Sequence, residues 1–232
     1  MSMSVAFVMK SFWWNFKGSR QLGYDLRRVE PYVLAFCADA SGQIHRSVTP
    51  IYANSPRAGR QQMSGMGHIF YGPRDPGGVL AFAIAVIESD ADIRGAGVRM
   101  EAILSRPEVT TATKAASDLI VNAVAAAGNA TPVGAIVGGV VTLLESTLQI
   151  VARAMQSNPD DVMWLHSGSF LADTSPPYQW GRRGEVGSAL AVRGRSAFGL
   201  EYEVVRTTVA LANDIRVEAE ENLRSLPSVF VG

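Results

Sequence analysis

Apolar positions along the chain follow two periods, and the change between them divides the sequence in three. Before Asp90 and after Asp161 they alternate or run together between turn-forming clusters, as in β-strands; between those residues they recur every three to four positions, as in helices. Ser4–Phe16 predicts a first strand or strand pair ending at Lys17-Gly18-Ser19. Glu30–Ala38 is apolar enough for a central strand and runs into the turn residues Asp39-Ala40-Ser41-Gly42. Ile44–Tyr52 and His68–Tyr71 read as short strands. Between them, Asn54–Gly67 is dense in Gly, Arg and Gln and predicts an irregular surface loop. Tyr71–Gly78 predicts a turn, and Val79–Ile87 a strand buried on both faces.

The helical stretch holds three segments. Ile93, Gly97, Met100, Ile103 and Leu104 predict a helix over 92–104, capped by Asp90 or Asp92 and stopped at Arg106-Pro107. A second runs from about Thr110 to Ala127, with Leu119, Ile120, Ala123, Val124 and Ala127 along one side. Gly128 and Pro132 suit its C-cap and the N1 position of a third helix, Pro132–Gln156, whose half Val133–Leu144 carries no charge. The two longer helices make an α-hairpin. Strand character returns at Val162–Ala172, Glu185–Val192 and Phe198–Val209, where Leu200, Tyr202 and Val204 alternate with Glu201 and Glu203. Asn213–Leu226 fits a terminal helix or an extended ending. The expected fold is α+β in a single domain, 1–232: an antiparallel β-sandwich (4–90 and 161–210) interrupted by a helical insertion (91–160), with a tail at 211–232.

Composition narrows function more than fold. A chain of 232 residues buries a full-sized core. Its 21 Lys and Arg balance 21 Asp and Glu, which argues against an electrostatic nucleic-acid binder. The single cysteine, Cys37, lies in an apolar run and reads as a small buried hydrophobe; it forms no intramolecular disulfide or cysteine zinc cluster. That fits a reducing, cytoplasmic compartment. The first 16 residues lack a basic leader and a cleavage site, so no signal peptide is expected.

Catalytic patterns are weak. Gly95-Ala96-Gly97 lacks the spacing of a dinucleotide loop, and His45, His68 and His166 are scattered singly. His166-Ser167-Gly168-Ser169 lacks a nucleophile elbow. A non-enzyme without a resident cofactor is expected.

Three groups of residues stand out instead. Glu88, Asp90 and Asp92 precede the insertion and Asp160 and Asp161 follow it. An insertion between neighbouring strands must leave and re-enter at nearby points, which gathers these carboxylates. They then cap turns beside Arg94, or share a hard cation such as Ca²⁺. Gly134, Gly138 and Gly139 put small residues on one face of the third helix, permitting close helix contact and self-association. The window Val133–Val151 is about long enough to cross a bilayer and holds one charge, Glu145, which in an assembled state would face a wet lumen. Finally, Trp13 and Trp14 fit either one ring inward and one at a sheet edge, or a membrane-interface anchor. Arg57 and Arg60 fit either a solvated loop or a contact with phosphate or an acidic partner.

The succession IFYGPRDPGG-VLAFAIAVIESDADIR, then helices, NPDDVMWLHSGSF and FGLEYEVV resembles poorly characterised bacterial proteins with a β-sandwich like the calcium/lipid-binding domain. In those proteins a helical insertion lies between two acidic motifs. The likeness spans Glu30 to Val205; a second acidic loop would offer only Asp39. The expected function is a non-catalytic binding or assembly module, a homo-oligomer or partner of another protein, in which the sandwich docks and the hairpin self-associates. The alternatives are a membrane-active, pore-forming effector whose hairpin inserts after a trigger, and a Ca²⁺-dependent peripheral module contacting membrane lipid.

Overall fold

The structure is a computed structural model that describes residues 3–15, 28–52, 55–56, 58–88, 102–127, 133–156, 161–187 and 197–207. The strands are β1 (Val5–Asn15), β2 (Arg28–Val29), β3 (Pro31–Asp39), β4 (Ile44–Val48), β5 (Ser55–Pro56), β6 (Ala58–Gln62), β7 (His68–Arg74), β8 (Val79–Glu88), β9 (Asp161–Leu171), β10 (Arg183–Gly187) and β11 (Ala197–Arg206). The long helices are α1 (Pro107–Ala127) and α2 (Val133–Gln156). The fold is mixed α+β with antiparallel sheets. One sheet has the order β10-β11-β1-β6, with β7 also on β1; another runs β4-β3-β8-β9; β2 and β5 form a short ribbon.

The two larger sheets share an apolar layer, an arrangement compatible with the expected sandwich. Val33, Ala35 and Cys37 of β3 and Leu80, Phe82, Ile84 and Val86 of β8 meet Phe7, Met9, Phe12 and Trp14 of β1 and Leu200 and Val204 of β11. At its centre, Phe7 lies 4.9 Å from Phe82 and 5.1 Å from Phe170, ring centre to ring centre. Burial pushes the Cys37 thiol far above its ordinary pKa and keeps it protonated.

β1 shows how sequence alternation is preserved across an irregularity. Val5, Phe7 and Met9 face the core, and so do Phe12 and Trp14. The parity changes because the register with β11 shifts between Met9 and Ser11, a bulge that absorbs Lys10. Beyond that shift β1 changes partner on its other side, from β7 at Val5–Met9 to β6 at Ser11–Asn15.

The central strands β3 and β8 of the second sheet are buried on both faces, as expected for Val79–Ile87. Its outward side is small along β8 (Ala81, Ala83, Ala85, then Ile87), which lets the hairpin approach closely. Ala116 and Ile120 of α1 and Val140, Leu144, Leu148 and Val151 of α2 complete that second core. Their spacing is the stripe of an amphipathic helix.

The insertion leaves and returns as the topology argument requires. β8 and β9 are antiparallel neighbours, and Glu88 lies opposite Asp161 in their register. Of the expected first helix, residues 102–104 are helical and 92–101 lie outside the described residues. Pro107 starts α1 rather than only ending the segment before it. Two expectations are corrected. Asn54–Gly67 is not one irregular loop: β5 and β6 lie within it, and β6 is held by pairing with β1. Tyr71–Arg74 belongs to β7, so the turn begins later than its Gly-Pro sequence indicates.

Candidate functional site

Of the acidic group, Glu88 and Asp161 are brought together as opposed residues of β8 and β9; Asp90, Asp92 and Asp160 lie outside the described residues, as does Arg94. Directly opposed positions on antiparallel strands place their Cβ atoms about 4.5–5.5 Å apart. Among the described residues, no group of three or more His, Cys, Asp or Glu could hold a metal ion.

The hairpin separates the glycines. Gly138 is exposed, and a Cβ built on it would meet no described atom within 4 Å. Gly139 instead lies in the α1–α2 contact, where its Cβ would fall 3.0 Å from Leu119 Cδ2. Gly134 is in the first turn of α2. Leu119 is itself 38 % exposed. Its tip covers Gly139, and Thr142, also exposed, lies one turn on from Gly138. The Thr142 hydroxyl donates back to the Gly138 carbonyl at 2.9 Å.

Glu145 faces the sheet within the single chain. It is half-buried against the sheet and accepts a hydrogen bond from Ser167 Oγ on β9. No described helix is long and apolar enough to cross a membrane. Within this window Val140, Leu144, Leu148 and Val151 pack on the alanine face of β8.

Neither tryptophan sits on an edge strand, since β1 is flanked on both sides. Trp14 is buried and donates from Nε1 to the Pro56 carbonyl at 2.8 Å. Trp13 is half-buried, and its ring occupies the space above Gly199, its register partner on β11. Trp14 likewise covers Gly59, Tyr202 covers Gly184, and Phe82 covers Gly168, each directly across a strand pair. The glycines give these rings flat beds. Arg60 lies on β6, with Gly59 as its neighbour in the chain; Arg57 lies outside the described residues.

Sequence reasoning missed a polar cluster at the β3–β4 turn. Asp39 is 3 % exposed and accepts hydrogen bonds from Tyr71 Oη at 3.0 Å, from the Ser41 amide at 2.9 Å and from the Ser41 hydroxyl. His45 Nε2 is 3.6 Å away. Burial alone would raise the carboxyl pKa, but the hydrogen bonds from His45, Ser41 and Tyr71 outweigh it and lower the value to about 2. Burial, then the Asp39 charge, pushes Tyr71 far above the ordinary tyrosine range, so it remains a donor. An ionised acceptor with a fixed phenol donor makes a clamp rather than a nucleophile. The clamp holds the turn on which Gly42, at φ +79°, passes so near α1 that a Cβ would fall 2.6 Å from Val121 Cγ2. Its sequence signal, Asp-x-Ser, marks a turn; Tyr71 is 32 residues away and gives no local hint.

A second unforeseen pair is Ser47 and His68. Ser47 Oγ donates to the Ile69 carbonyl at 2.8 Å, which leaves it to accept from His68 Nε2, also at 2.8 Å. Burial lowers the His68 pKa to about 4, so the ring is neutral at physiological pH.

A shallow cleft of about 220 Å³ between the β4 side and α1 is lined by Arg46, Lys114, Thr110, Thr113 and Ser117, among others. Four of the lining residues are engaged elsewhere. Lys114 grips Asp118 at 2.9 Å, Arg46 reaches the Leu104 carbonyl at 3.4 Å, and both threonines donate to carbonyls of their own helix.

Among protein-family models and curated proteins, none matches this chain, so its fold and side-chain geometry carry the functional reading.

Proposed function

We propose that the protein is a non-catalytic binding and assembly module whose self-association surface is the outer side of the helical hairpin. The observation that carries this is Gly138: an exposed glycine in a helix interior, where alanine would be about 0.8–1 kcal/mol more favourable, with no described atom above it. Next to it in the chain, Gly139 lets α1 approach closely through Leu119, whose half-exposed tip adds apolar surface on the hairpin. The polar clusters of the sheets fit a structural role: Asp39 is held as an ion by three partners, and neutral His68 is capped by Ser47. Sedimentation velocity of the full chain tests the proposal. Association that weakens in Gly138→Leu, with unchanged secondary structure, supports it; association indifferent to that change removes it.

The opposition of Glu88 and Asp161 favours a second reading, in which the start and finish of the insertion share a Ca²⁺ ion, as the likeness to calcium/lipid-binding domains implies. Ca²⁺ bound only to the native chain must raise its melting temperature. An unchanged Tm on adding Ca²⁺ to chelator-treated protein eliminates this reading.

A further inference from the structure

The face of the first sheet turned away from the core is covered within the single chain. β1 sends Val5, Phe7, Met9, Phe12 and Trp14 into the core, so Ala6, Val8 and Ser11 stand on the opposite face. An antiparallel sheet packed on one side commonly leaves that other face to water. Here all three residues are 0 % exposed. Their register partners Val205, beside Ala6, and Ile69, beside Val8, are half-buried themselves. Side chains on a sheet stand nearly perpendicular to it, so neighbours flank one another without roofing one another. Met66, in the turn between β6 and β7, also touches Ala6 and Val8, but one methionine does not span a row about 17 Å long. Among the described residues no helix lies over this row, since α1 and α2 both pack on the outer side of the other sheet. The row is polar at one end: Glu203 and Glu201, opposite Val8 and Ser11, have side chains only 18 % and 22 % exposed.

We propose that the roof is the chain's own C-terminal segment, with residues 213–226 lying on this face as an amphipathic helix. Residues 208–232 lie outside the described ones. The point at which the chain leaves β11 argues for this occupant. The last pair of β1 and β11 is Val5 with Arg206, and Thr207 is fastened to Ser4 by its amide at 3.0 Å and its hydroxyl at 2.8 Å. The segment therefore starts at the Ala6 end of the row. The stretches after Asn15 and before Ala197 leave from the opposite end, where those two residues pair.

The segment's sequence fits the face in pattern, length and charge. Ile215, Ala219, Leu223 and Leu226 recur every three or four positions, which puts them along one side of a helix. A helix over 213–226 is about 20 Å long, enough to cover the row from Ala6 to Ser11. Running from the Ala6 end, it sets its apolar start over Ala6, Val8 and Val205. Arg216 borders the stripe near that start, and Asn222 lies within it further on. Glu203 and Glu201 follow along β11 in the same order, so a cation and then an amide donor meet the two half-buried carboxylates. This face is distinct from the hairpin surface, and the two proposals stand or fall separately.

The test uses the full chain carrying Val8→Cys, which puts a thiol in the row. Under native conditions that thiol should react with dithionitrobenzoate as slowly as the buried Cys37. Adding Ile215→Glu and Leu223→Glu should speed its reaction at least about tenfold, because access to a covered group follows local opening. Cys37 should stay unreactive, which reports an intact core, and Glu221→Gln on the far side of the helix should leave the rate unchanged. A rate unmoved by the two glutamates overturns the proposal, because something else is then the roof. So does protection that is lost on dilution, which would make the cover a second copy. Should Cys37 react as well in the doubly substituted chain, amide hydrogen exchange of the parent decides. Protected amides over 216–226 support the proposal, and exchange there at the rate of an unfolded chain overturns it.

Discussion

Replacing Gly138 by alanine should make the folded chain more stable, and the size of the gain follows from the geometry. The position is the sixth residue of a 24-residue helix, well inside it. Glycine there is less favourable than alanine by about 0.8–1 kcal/mol, because its backbone loses more freedom on folding. The added methyl meets no described atom within 4 Å, so no steric term opposes the gain. For a chain of this length about 1 kcal/mol corresponds to roughly 2–4 °C in Tm. Urea denaturation followed by far-ultraviolet circular dichroism, at concentrations too low for association, should show a higher midpoint with an unchanged slope. Gly139→Ala is the comparison. Its methyl would sit 3.0 Å from Leu119 Cδ2, whose half-exposed tip must shift, so the gain should shrink to a few tenths of a kcal/mol. A Gly138→Ala chain less stable than the parent would refute the reasoning, since it would mean that the folded monomer itself packs against that glycine. A more stable fold with weaker association is the outcome expected of a residue kept small for a partner.

Gly199→Val should destabilise the fold by about 2–3 kcal/mol, because its side chain must displace the Trp13 ring from the bed it occupies; urea titration measures this. Stability should fall with acid in two windows. His68 has a folded pKa near 4 against an ordinary 6.5, so the unfolded chain takes up the proton first. Its contribution is complete above about pH 6.5 and is lost as pH falls towards 4, an effect of about 2–3 kcal/mol. His166, also lowered by burial, adds in the same direction. Asp39, with its pKa held near 2 against 3.8, contributes above that ordinary value and loses its contribution as pH falls further. Asp39→Ala should lower stability at neutral pH by about 2–4 kcal/mol, by leaving the Tyr71 hydroxyl buried without its acceptor, and should flatten the lower window. A stability profile flat from pH 7 to 4 would contradict the His68 assignment.

The parts legible in the sequence are those whose periodicity is local. β8, β9 and β11 and both long helices lie within a few residues of where their patterns place them, because alternation or a 3.6-residue stripe reports the face that each buries. β6 was not legible: Ala-Gly-Arg-Gln-Gln has no strand propensity, and what holds it is pairing with β1 and the Trp14 ring over Gly59. The bulge at Lys10 hides the continuity of β1, since Phe12 and Trp14 fall out of step with Val5, Phe7 and Met9. The Asp39 clamp joins residues 32 apart, which no spacing rule connects. In the sequence Glu145 is a lone charge in an apolar helix; the Ser167 hydroxyl that donates to it lies on a strand 22 residues later. The pairing of Glu88 with Asp161 was legible because it follows from connectivity alone.

The topology that places the proposed hairpin surface depends on this last pairing and can be tested by one measurement, disulfide formation in the double variant Glu88→Cys, Asp161→Cys. Opposed residues of an antiparallel pair have Cα atoms about 4.5–5.5 Å apart, within the range a disulfide spans. Oxidation should close the bond rapidly within single chains and raise the Tm, with the hairpin still packed on its sheet. A double variant that stays reduced under diamide, or that links only between chains, would contradict the placement of the helices as an excursion between neighbouring strands.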